Sequence, residues 1–289
     1  KASEHASAAL LEFGKFIKKA GIPDGVLNII TGHGDPCGKA LTSHPLIDRI
    51  AFTGGPRAAQ EVIKNSAKNF AELSLELGGK SPVIVFDDVD IDSAVNGALG
   101  AIFGASGQSC VAGSRLYLQE SIADRFIDKM KQVAEAIKLG DPQDPATEMG
   151  PICTHGQLLK IEAEVANAIE EGGELICGGN RPEELEGNYY TPTIIGCPQQ
   201  DLKIVDTELF GPVLSVLRFK TEDQAISMAN RSVHGLAAGI FTKDGARSLR
   251  VAKKIRAGIV WVNTYRVVSP IAEAGGMKTS GYGRESGYQ

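Results

Sequence analysis

The feature that most restricts the fold is a repeated alternation of helix-patterned segments with short apolar segments of strand length. Residues 90–103 carry apolar side chains at i, i+3, i+4 and i+7, which places them on one face of a helix. Residues 83–86 and 213–219 have the length and composition of buried strands. Since strands that alternate with helices usually form a sheet covered by those helices, the sequence predicts an α/β fold with a mostly parallel sheet.

The same patterns predict further elements and two helix starts. Ser121 with Asp124, and Thr221 with Gln224, have the spacing of capping boxes. Helices are predicted at residues 6–20, 57–68 and 222–230, and strands at residues 26–30, 49–53, 71–77, 175–177, 190–195, 236–241 and 259–263.

Composition excludes several classes of protein. The 289 residues are 43% hydrophobic and carry a formal net charge of −5, which is typical of a globular protein and argues against a basic nucleic-acid binder. No apolar run is long enough to span a membrane, and no leader-like segment opens the chain. We therefore expect a cytoplasmic protein without nucleic-acid or membrane partners. Because the chain opens on Lys1 without an initiator methionine, we also expect a fragment.

The cysteines and histidines are scattered along the chain and form no metal-binding or redox motif. No C-x-x-C, H-E-x-x-H or G-x-S-x-G pattern occurs, which removes the signatures of zinc sites, dithiol redox proteins and serine hydrolases. The sequence predicts reduced thiols and no metal site. The five cysteines are Cys37, Cys110, Cys153, Cys177 and Cys197.

Two glycine-containing turns each join a predicted strand to a helix and are candidates for phosphate binding. Residues 32–38 have the spacing G-x-G-x-x-x-G, and Gly54 and Gly55 precede the helix that starts near Pro56. At either turn, a phosphate could approach the main chain beside a helix N-terminus. From the residues alone, both turns can equally be structural.

Two side chains could carry chemistry, and each has a plain structural alternative. Glu76 ends an apolar strand before Gly78 and Gly79, where it is either a strand-edge residue facing water or a general base with a pKa raised by apolar neighbours. Cys110 lies among small residues, which leaves room for a substrate and for main-chain N–H groups around a nucleophile. A buried cysteine that fills the core is the alternative.

In combination, five motifs closely resemble the aldehyde dehydrogenase superfamily over essentially the whole chain. They are FTGG at residues 52–55, LELGGKSP at 75–82, GQSCVAGSR at 107–115, ELFGPV at 208–213 and GGMKTSGYGRE at 275–285.

The resemblance implies a catalytic mechanism. Cys110 would attack the aldehyde to form a thiohemiacetal, and loss of hydride to NAD would leave a thioester on its sulfur. Glu76 would activate the water that hydrolyses this thioester and help to deprotonate Cys110. The Cys110 N–H would bind the oxyanion together with an asparagine that, in the family, precedes the segment aligned with Lys1.

The resemblance also implies how NAD is bound. Lys1 and Glu4 match the pair that binds the adenosine ribose, and a carboxylate there favours NAD over NADP by repelling a 2′-phosphate. Gly54 and Gly55 match the pyrophosphate turn, which makes residues 32–38 a nearby loop. Further cofactor contacts are expected from Leu77, Glu208 and Phe210.

The substrate pocket is expected to include residues on both sides of the nucleophile and from a late loop. Arg266 could pair with a substrate carboxylate, or it could be a solvated side chain on that loop. Glu273 and Ala274 stand where the family usually has proline and phenylalanine, which changes the packing beside the substrate channel. The predicted pocket residues are Ser109, Val111, Tyr265, Arg266 and Ala274.

The resemblance further predicts the domain division and the assembly. Residues 1–78 would be a partial Rossmann-type dinucleotide-binding domain, residues 79–278 the α/β catalytic domain, and residues 279–289 the start of a C-terminal return segment. The full-length protein would form a homodimer or homotetramer. Two alternatives stay open: a CoA-acylating relative, which typically lacks the glutamate matched by Glu76, and an inactive fragment or non-catalytic NAD-binding or structural relative.

Overall fold

The structure is a computed structural model that describes residues 1–287. The chain divides into two compact units, Lys1–Leu75 and Glu76–Gln289. The predicted domain boundaries after residues 78 and 278 remain predictions. The last two residues of the predicted return segment 279–289 lie outside the described residues.

Among the described residues, the first unit contains three α-helices, a short π-helix at Gly34–Gly38, one strand and all but the last residue of a second strand. Helix α1 is Ser7–Lys19, α2 is Lys39–Thr42 and α3 is Pro56–Ser66, while strand β1 is Arg49–Thr53 and β2 is Glu72–Glu76. β1 and β2 are neighbours in one sheet. The predicted strand at residues 49–53 and the helix that follows the Gly54–Gly55 turn are therefore confirmed.

The second unit repeats strand and helix along the chain. Its helices are α4 Ile91–Phe103, α5 Ala123–Glu135, α6 His155–Glu170, α7 Lys203–Asp206, α8 Glu222–Asn230 and α9 Gly245–Lys254. Its strands are β3 Pro82–Val85, β4 Arg115–Gln119, β5 Glu174–Cys177, β6 Thr193–Gly196, β7 Val213–Phe219, β8 His234–Gly235, β9 Ala237–Phe241, β10 Ile259–Val262, β11 Met277–Lys278 and β12 Gly281–Tyr282.

A seven-stranded sheet organises this unit. Its strand order is β10-β9-β3-β4-β7-β6-β5, and every neighbouring pair is parallel except β5 with β6. A parallel neighbour needs a crossover connection, which the intervening helices supply. The predicted α/β class with a mostly parallel sheet is confirmed.

Side chains alternate between the two faces of this sheet and build two hydrophobic cores. Val83 and Val85 of β3 belong to one cluster, whereas Ile84 between them belongs to the other. This is the period of two that a strand buried on both faces requires. The predicted apolar face of α4 packs into the cluster that contains Val83 and includes Ala98 and Ile102.

Three local predictions differ from the structure. Residues 26–30 form no strand, because no neighbouring strand pairs with them: their main-chain hydrogen bonds run from the Val26 N–H to the Pro23 carbonyl and from the Ala2 N–H to the Ile30 carbonyl. The strand predicted from residue 190 begins at Thr193, since Pro192 has no N–H to donate. Ser121 does not cap α5: its hydroxyl donates to Asp87, and α5 starts at Ala123 after a short turn.

The second predicted cap is confirmed. The Thr221 hydroxyl accepts a hydrogen bond from the Gln224 N–H at 3.2 Å, where α8 begins. Over residues 1–287, no helix is both long and apolar enough to cross a membrane.

Candidate active site

Cys110 lies in the loop that joins α4 to β4. Directly after α4, Ala105, Ser106 and Gly107 have φ angles of 54°, 53° and 69°, a left-handed conformation that costs about 1–2 kcal/mol at each non-glycine residue. Glycine is required at position 107, because a Cβ there would lie 2.1 Å from the Gly211 carbonyl oxygen. The cysteine loop therefore packs closely against the segment that contains Gly211.

Polar side chains hold this loop on both sides of Cys110. The Ser106 hydroxyl donates to the Gly150 carbonyl at 2.9 Å. The Gln108 amide accepts from the Cys153 N–H at 2.7 Å and donates to the Pro151 carbonyl at 3.3 Å. On the far side, hydrogen bonding fixes Val111, whose carbonyl accepts from the Tyr265 hydroxyl at 2.8 Å. The main chain around the thiol is therefore set by long-range contacts.

The glycine pair after Glu76 brings its segment against two other parts of the site. A Cβ on Gly79 would lie 2.5 Å from the Cys110 carbonyl oxygen, and one on Gly78 would lie 2.0 Å from Glu208 Oε2. The Gly79 N–H donates to Glu208 Oε1 at 3.0 Å. The predicted catalytic residues Cys110 and Glu76 and the predicted cofactor residue Glu208 therefore belong to one cluster within the second unit.

The environment keeps the Cys110 thiol protonated in the free protein. Burial raises its pKa above the ordinary cysteine value, the Val111 N–H opposes this, and the negative charges of Glu208 and Glu76 raise the pKa further. The cysteine is only partly buried and has no disulfide partner. A nearby base is thus needed to form the thiolate.

Glu76 has the properties of such a base. Burial raises its pKa above 4.5, Glu285 raises it further, and Arg284 opposes the shift. Its Oε1 atom is buried without a hydrogen-bond partner among the described residues. The carboxyl at the end of β2 is therefore partly buried, and its role as a base stays a prediction.

The segment that contains Glu208 and Phe210 presents an acid and an aromatic ring side by side. Phe210 has a φ of 53° and is 42% exposed. The Gln157 side-chain amide donates to the Leu209 carbonyl, and Lys160 donates to the Glu208 carbonyl at 3.1 Å. These contacts hold the main chain of the segment, while the Glu208 carboxylate accepts from the Gly79 N–H and Phe210 is exposed. Leu77 is buried, and its N–H donates to the Ser280 carbonyl at 3.0 Å.

In the first unit, Lys1 and Glu4 form an ion pair of 3.4 Å. The Glu4 main-chain N–H, and next the Lys1 ammonium, lower the pKa of the Glu4 carboxyl, so it is ionised at neutral pH. Helix α3 starts at Pro56, and Gly55 before it makes no side-chain cap and has open space at its Cβ position. The unoccupied N–H groups at such a helix start suit a phosphate.

The predicted substrate-side residues lie around the cysteine loop, with one unexpected arrangement. Arg266 has a φ of 62° and donates from Nη2 to the carbonyls of Ala101 and Gly104, at 3.3 and 3.0 Å, at the end of α4. Since its guanidinium is half-buried on a helix C-terminus, the alternative of a solvated arginine is wrong. Its pairing with a substrate carboxylate stays a prediction.

Other predicted substrate-side residues are fixed mainly by their main chains. The Ala274 N–H donates to the Glu285 carbonyl at 2.9 Å, which ties the late loop to the last motif. The Ser109 carbonyl accepts from Ala112 at 3.0 Å and closes a turn around Cys110. The role of each residue toward a substrate remains a prediction.

Sequence reasoning missed three residues that support the site. Gln108 makes the two hydrogen bonds to Cys153 and Pro151 described above. Ser280 is fully buried and donates to the Gly78 carbonyl at 2.7 Å. Arg115 is 1% exposed, with its guanidinium bonded to main-chain carbonyls of Lys80 and Ala229 and to a tyrosine hydroxyl. Each lies inside a recognised motif, so a polar side chain within a run of small or apolar residues was the available signal.

The chain was compared with known proteins. The family model "Aldehyde dehydrogenase family" matches residues 1–289. The chain is 54% identical over 288 residues to (Z)-2-((N-methylformamido)methylene)-5-hydroxybutyrolactone dehydrogenase of Acinetobacter baylyi, covering 99% of this chain and 59% of that protein. It is 45% identical over 288 residues to chloroplastic betaine aldehyde dehydrogenase of Atriplex hortensis, covering 99% of this chain and 57% of that protein.

A solved structure is also similar to this chain over almost its whole length. The crystal structure of PnpE in complex with nicotinamide adenine dinucleotide, a protein known from Pseudomonas sp. WBC-3, superposes with a TM-score of 0.95 at 40% identity and covers 97% of this chain and 58% of that chain. The chain therefore spans somewhat more than half the length of the proteins that it matches.

Proposed function

The chain belongs to the aldehyde dehydrogenase family, and we propose that this chain, together with any flanking sequence, oxidises an aldehyde to a carboxylic acid with NAD. The chain with its flanking sequence is called the parent protein below. The observation that carries the proposal is the pairing of a neutral, partly buried thiol at Cys110 with the poorly solvated carboxyl of Glu76, whose charge acts on that thiol. Thioester chemistry needs a nucleophile and a nearby base that can accept its proton.

In the first step, Cys110 loses its proton and attacks the aldehyde carbon. Glu76, with its raised pKa, accepts the proton, and the sulfur–carbon bond forms as the carbonyl becomes an oxyanion. The Val111 and Cys110 N–H groups favour a negative charge at this sulfur. The Cys110 N–H is also the proposed donor to the oxyanion, in a loop that Gln108 and Tyr265 already hold in place.

NAD fits the residues that are present. In the first unit, the open N-terminus of α3 suits a pyrophosphate, and the ionised Glu4 beside Lys1 suits ribose hydroxyls and disfavours a 2′-phosphate. In the second unit, the Glu208 carboxylate and the exposed Phe210 ring are the proposed ligands of the nicotinamide ribose and ring. When bound, NAD supplies the acceptor for the hydride that leaves the thiohemiacetal carbon.

Before the last step, Glu76 releases the proton taken from Cys110 to solvent. Glu76 then removes a proton from water, and the resulting hydroxide attacks the thioester carbon. The carbon–sulfur bond breaks, the acid leaves and the proton held by Glu76 passes to the Cys110 sulfur. Because the Glu76 Oε1 atom is buried without a partner, it offers a free acceptor to that water. This favours hydrolysis over transfer of the acyl group to CoA.

Substrate, assembly and location are proposed only in outline. The printed names of the relatives refer to a butyrolactone derivative and to betaine aldehyde, so they support aldehydes with a polar substituent without selecting one. A homodimer or homotetramer is supported only by the family resemblance, and a cytoplasmic location only by the sequence patterns described above.

The proposed function is tested by replacing the nucleophile. Cys110→Ser in the parent protein should lower NADH formation from an aldehyde panel by about 10³-fold or more, because a serine hydroxyl is far less acidic than a thiol. Cys153→Ser removes an exposed free cysteine near the same loop and is the matched control, with activity close to that of the wild type. Undiminished NADH formation by Cys110→Ser would exclude the proposal.

A further inference from the structure

Lys80 is a buried cation that the mechanism above does not use. It follows the Gly78–Gly79 pair, and its side chain is 1% exposed. Among residues 1–287, its Nζ atom has no hydrogen-bond partner. An ammonium in this position has lost its hydration without a fixed replacement, which destabilises the folded protein.

The surroundings of Lys80 make its charge variable at neutral pH. Burial lowers its pKa to about 7, Arg115 lowers the pKa as well, and nearby acidic groups oppose the shift. Lys80 also lines a cavity of about 10 Å³ with His234, whose own pKa is lowered by burial. The titratable and charged groups around Lys80 are Arg115 from β4, Cys197 after β6, Asp206 from α7, Glu208 in the following loop, His234 from β8 and Arg256 after α9.

Of these groups, Glu208 is the anion without another strong partner for its carboxylate. Asp206 accepts a hydrogen bond from the Ser232 hydroxyl. Cys197 is neutral near pH 7, because burial raises its pKa to about 11. Glu208 accepts from the Gly79 N–H, one residue before Lys80, and both Glu208 and Lys80 line a second cavity of about 10 Å³. A space of this size holds about one water molecule.

We propose that Lys80 is a positioning residue for Glu208: its buried ammonium holds the Glu208 carboxylate on the Gly78–Gly79 turn, where that carboxylate binds the cofactor ribose. The inference rests on the proposed function, in which Glu208 binds that ribose. Because Lys80 is buried, water screens its charge less than it would screen an exposed lysine, so its attraction for the Glu208 carboxylate beside the shared cavity is retained. When Lys80 loses its proton, the carboxylate loses this restraint and the affinity for NAD falls.

Calorimetric titration of the parent protein with NAD between pH 6 and 9 tests the proposal. The wild-type Kd should rise on the order of 5-fold as pH increases through 7, because Lys80 is charged below its pKa and neutral above it. Lys80→Met should bind at every pH as weakly as the wild type does at pH 9. Lys80→Arg, which stays charged, should bind tightly at every pH.

Controls separate this inference from the proposed function. Lys253→Met, on an exposed position of α9, should keep the wild-type pH dependence. Glu208→Gln should bind NAD weakly without pH dependence, and adding Lys80→Met to it should change little. If the wild type does not bind NAD at all, the proposed function fails. If it binds NAD but the pH dependence survives in Lys80→Met, or Lys80→Arg behaves like Lys80→Met, the role of Lys80 is wrong.

Thermal unfolding provides a second readout and shows that the variant folds. Because folding lowers the Lys80 pKa, the buried charge costs most below pH 7, and the cost fades as pH rises toward the ordinary lysine value of 10.5. Lys80→Met should therefore raise Tm more at pH 6 than at pH 9. An equal change at both values would contradict a buried titrating ammonium.

Discussion

The loop around Cys110 and the segment from Glu76 to Lys80 belong to the same unit but satisfy their polar groups differently. In the loop, the side chains of Ser106 and Gln108 bond to main-chain groups of residues 150–153. In the segment, Glu76 Oε1 and Lys80 Nζ are buried without hydrogen-bond partners among the described residues.

This difference separates two tasks. A loop with satisfied polar groups holds the nucleophile and its N–H groups in one geometry, which is what an oxyanion site needs. A segment with unsatisfied ionisable groups keeps their pKa values away from the ordinary range, which is what a proton acceptor needs. Variants in the loop and in the segment therefore test whether the two regions have these separate tasks.

The largest effect is expected at the unsatisfied carboxyl. Glu76→Gln in the parent protein should lower steady-state turnover by about 10²–10⁴-fold, the usual contribution of a general base. In the wild type, activity should fall as pH decreases through a pKa above 4.5, because protonation removes the base. The variant should lack this acidic limb when turnover is measured from pH 5 to 8.

The neighbouring exposed acid supplies the control for this experiment. Glu72 lies in the same strand, β2, but faces solvent, so Glu72→Gln should leave turnover and its pH profile unchanged. An unchanged rate in Glu76→Gln, with chemistry shown to limit turnover, would remove the base role.

A smaller effect is expected from loss of the Gln108 hydrogen bonds that hold the Cys110 loop. Gln108→Ala removes both bonds to residues 151 and 153 and should lower kcat about 10-fold with little change in KM, because misplacing a nucleophile affects chemistry more than binding. Gln143→Ala, at an exposed position, is the matched control. If KM for the aldehyde rises while kcat is unchanged, Gln108 contributes to substrate binding and not to positioning.

The smallest effect is expected at the end of α4. Arg266→Ala should lower the free energy of unfolding by about 1–2 kcal/mol, since it removes two hydrogen bonds to the last carbonyls of that helix. Chemical denaturation measures this change. Activity toward semialdehydes and toward neutral aldehydes should fall equally, and a loss confined to the semialdehydes would instead support the predicted carboxylate contact.

The sequence predicted the elements that depend on local patterns. The apolar face of α4, the Thr221–Gln224 cap and most strands of the seven-stranded sheet follow from periodicity and capping chemistry. The prediction failed at residues 26–30 because an apolar run becomes a strand only when a neighbour pairs with it. It failed at Ser121 because Asp87, which is 34 residues away, takes the hydroxyl.

Within the candidate site, motifs identified the residues but not their environment. Cys110 and Glu76 were predicted from their motifs, and the structure adds that burial shifts the pKa of both groups upward. Neither the burial of Lys80 nor the hydrogen bonds of Arg266 to the end of α4 could be predicted, because both depend on contacts between segments distant in sequence. Such contacts have no local signature.

The most direct test of the account is to trap the acyl group on Cys110. Parent protein carrying Glu76→Gln is mixed with aldehyde and NAD and sampled until NADH formation levels off, because loss of the base slows thiolate formation as well as hydrolysis. The samples are quenched and digested for mass spectrometry. The account predicts an NADH burst approaching one per site and an acyl group on the peptide that contains Cys110, absent from Cys110→Ser. An NADH burst with no acylated peptide, or with the acyl group on another residue, would contradict it.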